Sequence, residues 1–490
     1  MAKRKAYMIT EGGKGIGFGH IVRCSALYNA FENSGMDVEF IVNGDDTVRG
    51  LLKEKKHVFM EWRRTPAEFM DMVSGADVAV IDSYLADEPF YRRIAGCVKT
   101  PVFIDDHRRL DYPDGIIINS AILADSLEYP EKKGTVYLLG REYALLREEF
   151  SRVPEKKISD KLTTIFLTCG GSDTENYTER VLSILLEDFP GMKINVVIGK
   201  TSGIHVDAGR FSGGEISVIF NADADQMKAL ILESDIAVSA AGQTLYELAR
   251  AGVPAVGISL ADNQALNLEG WERFGVKACF NPGDTRELGR CIRDGIMEFE
   301  SPGKRAEYRD RARRFIDGKG ALRVYDAVAE ALGDHIAIRK AVNEDCRDIW
   351  IWRNDPEARR WSFNDGAISY EDHKGWFGKK MSDRGVRIYI AENEGGKAGQ
   401  ARLELAGGGK AVVSVNMNPE FFGRGFGRVL IRKATERFTE EMGEVSSVLA
   451  EIDVENRASI KAFGRAGYRL KGDTVRNGKK AYVYEYRKNG

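Results

Sequence analysis

The sequence predicts an α/β protein: two doubly wound parallel-sheet domains followed by a smaller α+β domain. Three observations carry this. At 490 residues the chain is too long for a single hydrophobic core. Short apolar runs alternate with helical patterns through one stretch, and the alternation restarts after Pro154-Glu155-Lys156-Lys157. Beyond Gly333-Asp334 the pattern changes to antiparallel-looking strands joined at Gly407-Gly408-Gly409. The expected domains are 1–155, 156–333 and 335–490.

In the first stretch, runs at 6–9, 38–42, 78–82, 101–106 and 115–119 read as buried parallel strands, and 22–32 as a helix. In such sheets the C-terminal strand ends face the ligand crevice. That places Asp82, Ser83, Tyr84, Asp105, Asp106 and Asn119 at the crevice. The second stretch supplies strands at 163–168, 193–199, 236–239 and 255–258, and a charged helical stretch at 304–332. The third supplies strands at 336–339, 387–392, 399–405, 411–417 and 448–454, and a helix after Gly427.

Composition narrows the class. Hydrophobic content of 43%, charged content of 30% and a net charge of −2 give no nucleic-acid surface, and no run approaches the length of a membrane span. The basic start breaks at Glu11-Gly12-Gly13, too soon for a signal peptide. The six cysteines (24, 97, 169, 279, 291 and 346) form no CxxC pair, so neither a zinc site nor a disulfide framework is expected. Cys24, Cys97 and Cys169 read as small core residues, and the expected compartment is the cytoplasm.

Three motifs carry chemistry. The first, Gly12-Gly13-Lys14-Gly15-Ile16-Gly17-Phe18-Gly19-His20-Ile21-Val22-Arg23-Cys24, links a strand to a helix. Glycine loops there bring N–H groups and a helix dipole up to an anion, and His20 and Arg23 would stand beside it. The second, Ser239-Ala240-Ala241-Gly242-Gln243-Thr244-Leu245-Tyr246-Glu247, opens another helix at a strand end. There Gly242 permits close approach, Thr244 caps the helix or meets a phosphate, and Glu247 is placed to take ribose hydroxyls; Asp262-Asn263-Gln264 opens the helix after it. The third, Phe421-Phe422-Gly423-Arg424-Gly425-Phe426-Gly427-Arg428, is a strand-to-helix nest suited to a pyrophosphate, with Asn456 through Gly467-Tyr468 about thirty residues on.

The first 330 residues resemble the nucleotide-sugar hydrolases of pseudaminic acid biosynthesis, relatives of the MurG-like GT-B fold with its two Rossmann-like domains. The resemblance rests on Gly17 to Cys24, Ile81-Asp82-Ser83-Tyr84, Ile104-Asp105-Asp106, Gly170-Gly171-Ser172-Asp173 with Asn176, and residues 239–264. It implies that His20 is the general base that deprotonates water for inverting attack on the anomeric carbon of a UDP-linked 2,4-diacetamido-2,4,6-trideoxy sugar. It also implies that Gly17, Gly19, Arg23, Tyr84, Gly171, Ser172, Asp173, Asn176, Ala241, Gly242, Thr244, Glu247, Asn263 and Gln264 bind substrate, with no metal. His107 is the rival base; His57 and His205 lie in polar stretches and read as solvated.

The last 150 residues or so resemble the GNAT N-acetyltransferases, in the branch of the ribosomal-protein acetyltransferases, through the third motif and through Trp352-Arg353-Asn354-Asp355-Pro356, Ser369, His373 and Trp376-Phe377. The resemblance implies acetyl-CoA as co-substrate, held by Met417, Gly423, Arg424, Gly425, Phe426, Gly427, Arg428, Asn456 and Ser459. Two residues depart from the family pattern. Phe422 replaces an Arg or Gln, and Phe463 replaces a tyrosine thought to protonate the thiolate; Glu404 is a candidate to take the amine proton through water.

Together the resemblances imply acetylation of the 4-amino group of a UDP-linked 2,4-diamino-2,4,6-trideoxy sugar, followed by release of UDP. The rivals are a GT-B glycosyltransferase, a GNAT domain acting on a protein N-terminus or other amine, and a non-catalytic nucleotide-sugar sensor.

Overall fold

A computed structural model of the chain describes residues 3–14, 16–170, 173, 175–199, 214–261, 264–332, 336–364, 366–393, 396–422 and 426–488. The chain divides into two compact units. One holds residues 4–32 and 36–328; the other holds 329–490 with the short segments 1–3 and 33–35.

The larger unit contains two parallel sheets. The first has the order β3-β2-β1-β4-β5-β6-β7. Its strands are β1 (Lys5–Gly12), β2 (Asp37–Gly44), β3 (His57–Phe59), β4 (Val78–Asp82), β5 (Thr100–Ile104), β6 (Ile116–Asn119) and β7 (Val136–Leu139). The strands β4, β5 and β6 are buried along their whole length, because helices cover both faces of a parallel sheet. The register pairs Thr10 with Asp82 and Gly12 with Gly44, which sets the strand ends side by side. Cys24 is buried in this half, as its apolar surroundings predict.

The second sheet has the order β10-β9-β8-β11-β12-β13. It comprises β8 (Thr164–Thr168), β9 (Lys193–Ile198), β10 (Glu215–Phe220), β11 (Ile236–Ala240), β12 (Ala255–Ile258) and β13 (Lys277–Cys279). Its core reaches back to Ala144, Leu146, Phe150 and Val153, so the chain enters this half before residue 156. The charged helical stretch at 304–332 is made of two helices, Pro302–Phe315 and Gly320–Ala331. Gly318 between them has φ +76°, which turns the chain out of helical geometry.

The smaller unit is a single sheet of order β14-β15-β16-β17-β18-β20-β19. Its strands are β14 (Ala337–Lys340), β15 (Val386–Asn393), β16 (Gly396–Gly407), β17 (Lys410–Met417), β18 (Ser447–Asp453), β19 (Arg469–Arg476) and β20 (Lys479–Arg487). The β16–β17 hairpin turns through three consecutive glycines, Gly407, Gly408 and Gly409, all with positive φ. The pair β17–β18 runs parallel and the others antiparallel, and its register covers only Lys410–Val412 against Ser447–Leu449. The two strands then part, while β17 stays paired with β16 as far as Met417.

Candidate functional site

In the larger unit, β1 ends in a closed glycine loop: Gly13 and Gly17 exchange backbone hydrogen bonds at 3.1 and 3.0 Å. Gly17 has φ +90°, a conformation that favours glycine, whereas a Cβ at Gly19 would meet nothing. The helix Gly19–Asn33 starts directly after the loop, so His20 and Arg23 occupy its first turn on one face.

Both side chains point at the end of β4. The Nδ1 of His20 lies 2.6 Å from Oδ1 of Asp82, and Arg23 donates Nε to Oδ2 and Nη2 to Oδ1 of the same carboxylate, the latter at 2.7 Å. Arg23 also donates to both oxygens of Asp106, which in turn accepts the Tyr84 hydroxyl. The Tyr84 ring stands edge-on to His20, with centroids 4.8 Å apart. Glu11, buried at the end of β1, accepts from Ser83 Oγ and from the backbone N–H of Tyr84 and Leu85, and so fixes the turn that carries Tyr84.

This arrangement settles the charges. Burial disfavours a charged His20 ring, but Asp82 outweighs it by charge and by hydrogen bond, and the His20 pKa lies above the ordinary histidine value. Burial likewise opposes ionisation of Asp82 and Asp106, yet Arg23 holds both below the usual carboxylate range. With Nδ1 committed to Asp82, Nε2 is the nitrogen that takes or gives a proton.

Neighbouring Asp105 turns away from its sequence partner. It accepts from the backbone N–H of Arg108 and Arg109 and from the hydroxyls of Tyr112 and Tyr129. The two adjacent acids therefore do separate work, one in a turn and one in the His20 network. His107 is exposed, 6.1 Å from Tyr84 between ring centroids, and lines a cavity of about 710 Å³ together with Tyr112, Tyr129 and Tyr137. His57 differs from expectation: it is half-buried in β3, with Nδ1 2.8 Å from the Lys55 carbonyl.

In the second half, β11 leads through Ala241 into the helix Gln243–Ala251, whose N-cap is Gly242. No side chain caps this end; Thr244 is half-buried and its hydroxyl makes no hydrogen bond among the described residues, so it is not the cap. The first-turn N–H groups thus lack a side-chain acceptor, the condition under which a helix start attracts an anion. Glu247 is 2% exposed, and both its oxygens accept from Arg147 at 2.6 and 2.7 Å. Gln264 closes its own turn by accepting from Leu260 N–H, and Asn176 donates to Glu179 in an exposed turn. Asp173, expected to line the cleft, is a helix-capping residue: it is buried and its oxygens accept from Tyr177 and Thr178 N–H at 2.8 and 2.7 Å. Gly171, Ser172, Asn263 and His205 lie outside the described residues.

The structure connects the two motifs of this unit. Tyr246, in the first turn of the second helix, donates toward the Ser120 carbonyl just past β6. Its hydroxyl pKa is pushed up by burial first and by the Asp106 charge second, so Asp106 is near enough to act on it.

In the smaller unit, the parting of β17 from β18 leaves the β18-facing backbone groups of residues 413–417 without a ladder partner. The helix Phe426–Glu441 begins just beyond. Gly423, Arg424 and Gly425 lie outside the described residues, and the exposed Phe422 precedes them. Phe426 is buried in the core; a Cβ at Gly427 would meet only Met417, at ordinary contact distance. The Arg428 guanidinium is buried and donates to Ser34 Oγ at 2.6 Å, so its side chain is engaged away from a pyrophosphate role. Asn456 caps the helix Arg457–Arg465 by accepting from Ser459 N–H. Phe463 is buried edge-on against Tyr468, whose hydroxyl is also buried and bonded to Thr435. Glu404 is held between Lys380 and Arg402.

Residues 335–469 match the acetyltransferase (GNAT) domain family, and the chain carries a C-terminal GNAT domain. Over nearly its whole length the chain is similar to an uncharacterised protein of Methanocaldococcus jannaschii, 22% identical across 98% of this chain and 99% of that one. The pseudaminic acid cytidylyltransferase and UDP-2,4-diacetamido-2,4,6-trideoxy-beta-L-altropyranose hydrolase of Helicobacter pylori is 21% identical over 53% of this chain and 45% of its own. The spore coat polysaccharide biosynthesis protein SpsG of Bacillus subtilis is 23% identical over 65% of this chain and 95% of its own. Among solved structures, AAC(6')-Ib in complex with ribostamycin and coenzyme A is 19% identical over 31% of this chain and 93% of that chain, with a TM-score of 0.29. Among the described residues, no helix is long and apolar enough to cross a membrane.

Proposed function

We propose that the chain performs two steps on one nucleotide sugar. The GNAT domain acetylates the 4-amino group of a UDP-linked 2-acetamido-4-amino-2,4,6-trideoxy sugar with acetyl-CoA. The N-terminal unit then hydrolyses the diacetamido product to free sugar and UDP. The observation that carries the hydrolytic reading is the His20–Asp82 pair: a histidine on a glycine-loop helix, oriented through Nδ1 and left with Nε2 to act. The name of the Helicobacter pylori relative supports a UDP-sugar substrate, and that of the Bacillus subtilis relative supports a role in polysaccharide biosynthesis.

In the hydrolytic step, Nε2 of His20 takes a proton from water as its oxygen bonds to the anomeric carbon. The bond from that carbon to the diphosphate oxygen breaks, and UDP leaves with the electron pair. The Asp82 carboxylate stabilises the imidazolium that forms, and the uncapped start of the helix Gln243–Ala251 faces the developing negative charge on UDP. Gly17, Gly19, Arg23, Tyr84, Ala241, Gly242 and Gln264 complete the proposed site. Arg23 acts there by fixing the two carboxylates, and Glu247 serves the ribose only if Arg147 yields it.

For the acetyl transfer, the β18-facing edge of β17 at 413–417 fits the amide-bearing arm of acetyl-CoA, since an extended chain with alternating donors and acceptors can pair there as a strand would. Acetyl-CoA supplies the activated thioester. The chain holds it beside Met417, Gly427, Asn456 and Ser459; the amine nitrogen bonds to the acetyl carbon, the carbon–sulfur bond breaks, and the amine gives up its proton to water. With Phe463 and Tyr468 both buried, the thiolate takes its proton from water.

The test is to incubate the protein with the UDP-linked diacetamido sugar alone and identify the products. Free sugar of inverted anomeric configuration with equimolar UDP supports the hydrolase. UDP formation only after a sugar acceptor is added would make the N-terminal unit a glycosyltransferase.

A further inference from the structure

Beyond the residues that would touch the substrate, one pair ties the anion-binding turn to the half that carries His20. Asn267 lies on the helix Ala265–Phe274, and its Nδ2 donates to the Ala241 carbonyl at 2.9 Å. Its Oδ1 lies 2.7 Å from the Tyr246 hydroxyl, which is also 3.1 Å from the Ser120 carbonyl. A phenol has one proton, and it is directed at two acceptors, one on each half of the unit.

The peptide joining Ala241 to Gly242 is thereby held at both ends. Its carbonyl accepts from Asn267, and its N–H donates to the Ala240 carbonyl at 2.8 Å. This is the peptide that aims the uncapped first turn of the helix Gln243–Ala251. The amide of Asn267 has no choice of orientation, because only its NH₂ can serve a carbonyl and only its oxygen can accept from the phenol. Packing supports the arrangement. The buried Trp271 stands edge-on to Tyr246 at 4.9 Å, and a Cβ at Gly270 would come within 2.7 Å of Ile122. The helix that carries Asn267 therefore lies against the segment following Ser120.

We infer that Asn267 and Tyr246 are positioning residues for UDP release: Asn267 sets the geometry of the phosphate-facing turn, and Tyr246 registers that turn against the His20 half. The inference rests on the reading of the helix start at Gly242 as the diphosphate site. Neither residue transfers a proton or touches the reacting atoms.

The experiment compares wild type, Asn267→Ala and Tyr246→Phe by titration with UDP and with uridine, alongside steady-state UDP release and thermal melting. Asn267→Ala is expected to weaken UDP about tenfold, the size of one lost hydrogen bond, and to leave uridine affinity unchanged, because uridine carries no phosphate. Tyr246→Phe is expected to keep UDP affinity within about twofold and slow UDP release about tenfold, because the turn survives while its registration is lost. Wild-type UDP affinity and wild-type release in both variants would overturn the inference while leaving the diphosphate site standing. Equal loss of uridine and UDP in Asn267→Ala would overturn it as well, since that pattern marks general loosening. If wild type binds no UDP, the inference falls together with the site it rests on.

Discussion

The two units build their sites from opposite materials. In the larger one, the site is a lattice of side-chain charges: His20, Arg23, Asp82, Tyr84 and Asp106 from two strand ends and one helix. In the GNAT domain, the corresponding feature is a gap in a sheet, where β17 leaves β18 and exposes its backbone. The contrast teaches what each site can tolerate. A charge lattice fails when one side chain changes and responds to pH. A backbone site accepts side-chain changes, such as Phe422 and Phe463, and fails when the strand itself is displaced.

That contrast can be broken at its strongest point by His20→Ala. UDP release should fall about a thousandfold, in the range that a general base contributes, while acetyl transfer stays at the wild-type rate. Liberated thiol and UDP, followed in separate assays, check both halves of the expectation.

Asp82→Asn sharpens it. Because Asp82 outweighs burial to hold the His20 pKa above its ordinary value, the base form in wild type appears as pH rises through a midpoint above that value. Removing the carboxylate should slow UDP release by roughly a hundredfold and move the midpoint to lower pH. A pH–rate profile of kcat for both proteins reads the shift; a midpoint that stays put would separate Asp82 from His20.

On the other side, Gly399→Ala tests the backbone site. A Cβ there would stand 2.8 Å from the Asn416 carbonyl oxygen and 3.0 Å from Met417 Cα, and neither backbone atom can step aside without moving β17. The KM for acetyl-CoA should rise about tenfold with UDP release unaffected. The smallest effect is expected from Phe463→Tyr. A hydroxyl at this buried ring should change acetyl transfer by less than about threefold, and a gain well beyond that would show thiolate protonation to be limiting.

Much of this was legible locally. The buried strands announce themselves as continuous apolar runs, and the loop from Gly12 to Arg23 shows its histidine and arginine within one helical turn. The edge strands β3, β7 and β13 did not, because they are three or four residues long and only partly buried, so apolar periodicity barely registers. The break at Gly318 sits where the charged helix Pro302–Phe315 gives way to the more apolar helix Gly320–Ala331, and a stretch that reads as helical throughout does not by itself mark it.

The partnerships within the site were less accessible still. His20 and Asp82 are 62 residues apart, and Arg147 and Glu247 are 100 apart. Only the strand order brings them together, and no spacing rule reports that. Asp173 shows the converse. The family resemblance implied a cleft residue, but a carboxylate just ahead of a helix is most readily satisfied by that helix's own N–H groups.

The central claim, that one chain carries out two consecutive steps on one substrate, is tested most directly with the UDP-linked 4-amino sugar and the wild-type protein. UDP release is measured with and without acetyl-CoA while thiol is followed in parallel. The account predicts that thiol forms first and that UDP release follows it, slow without acetyl-CoA and fast with it. UDP release at the same rate in both conditions, or no thiol at all, would contradict it.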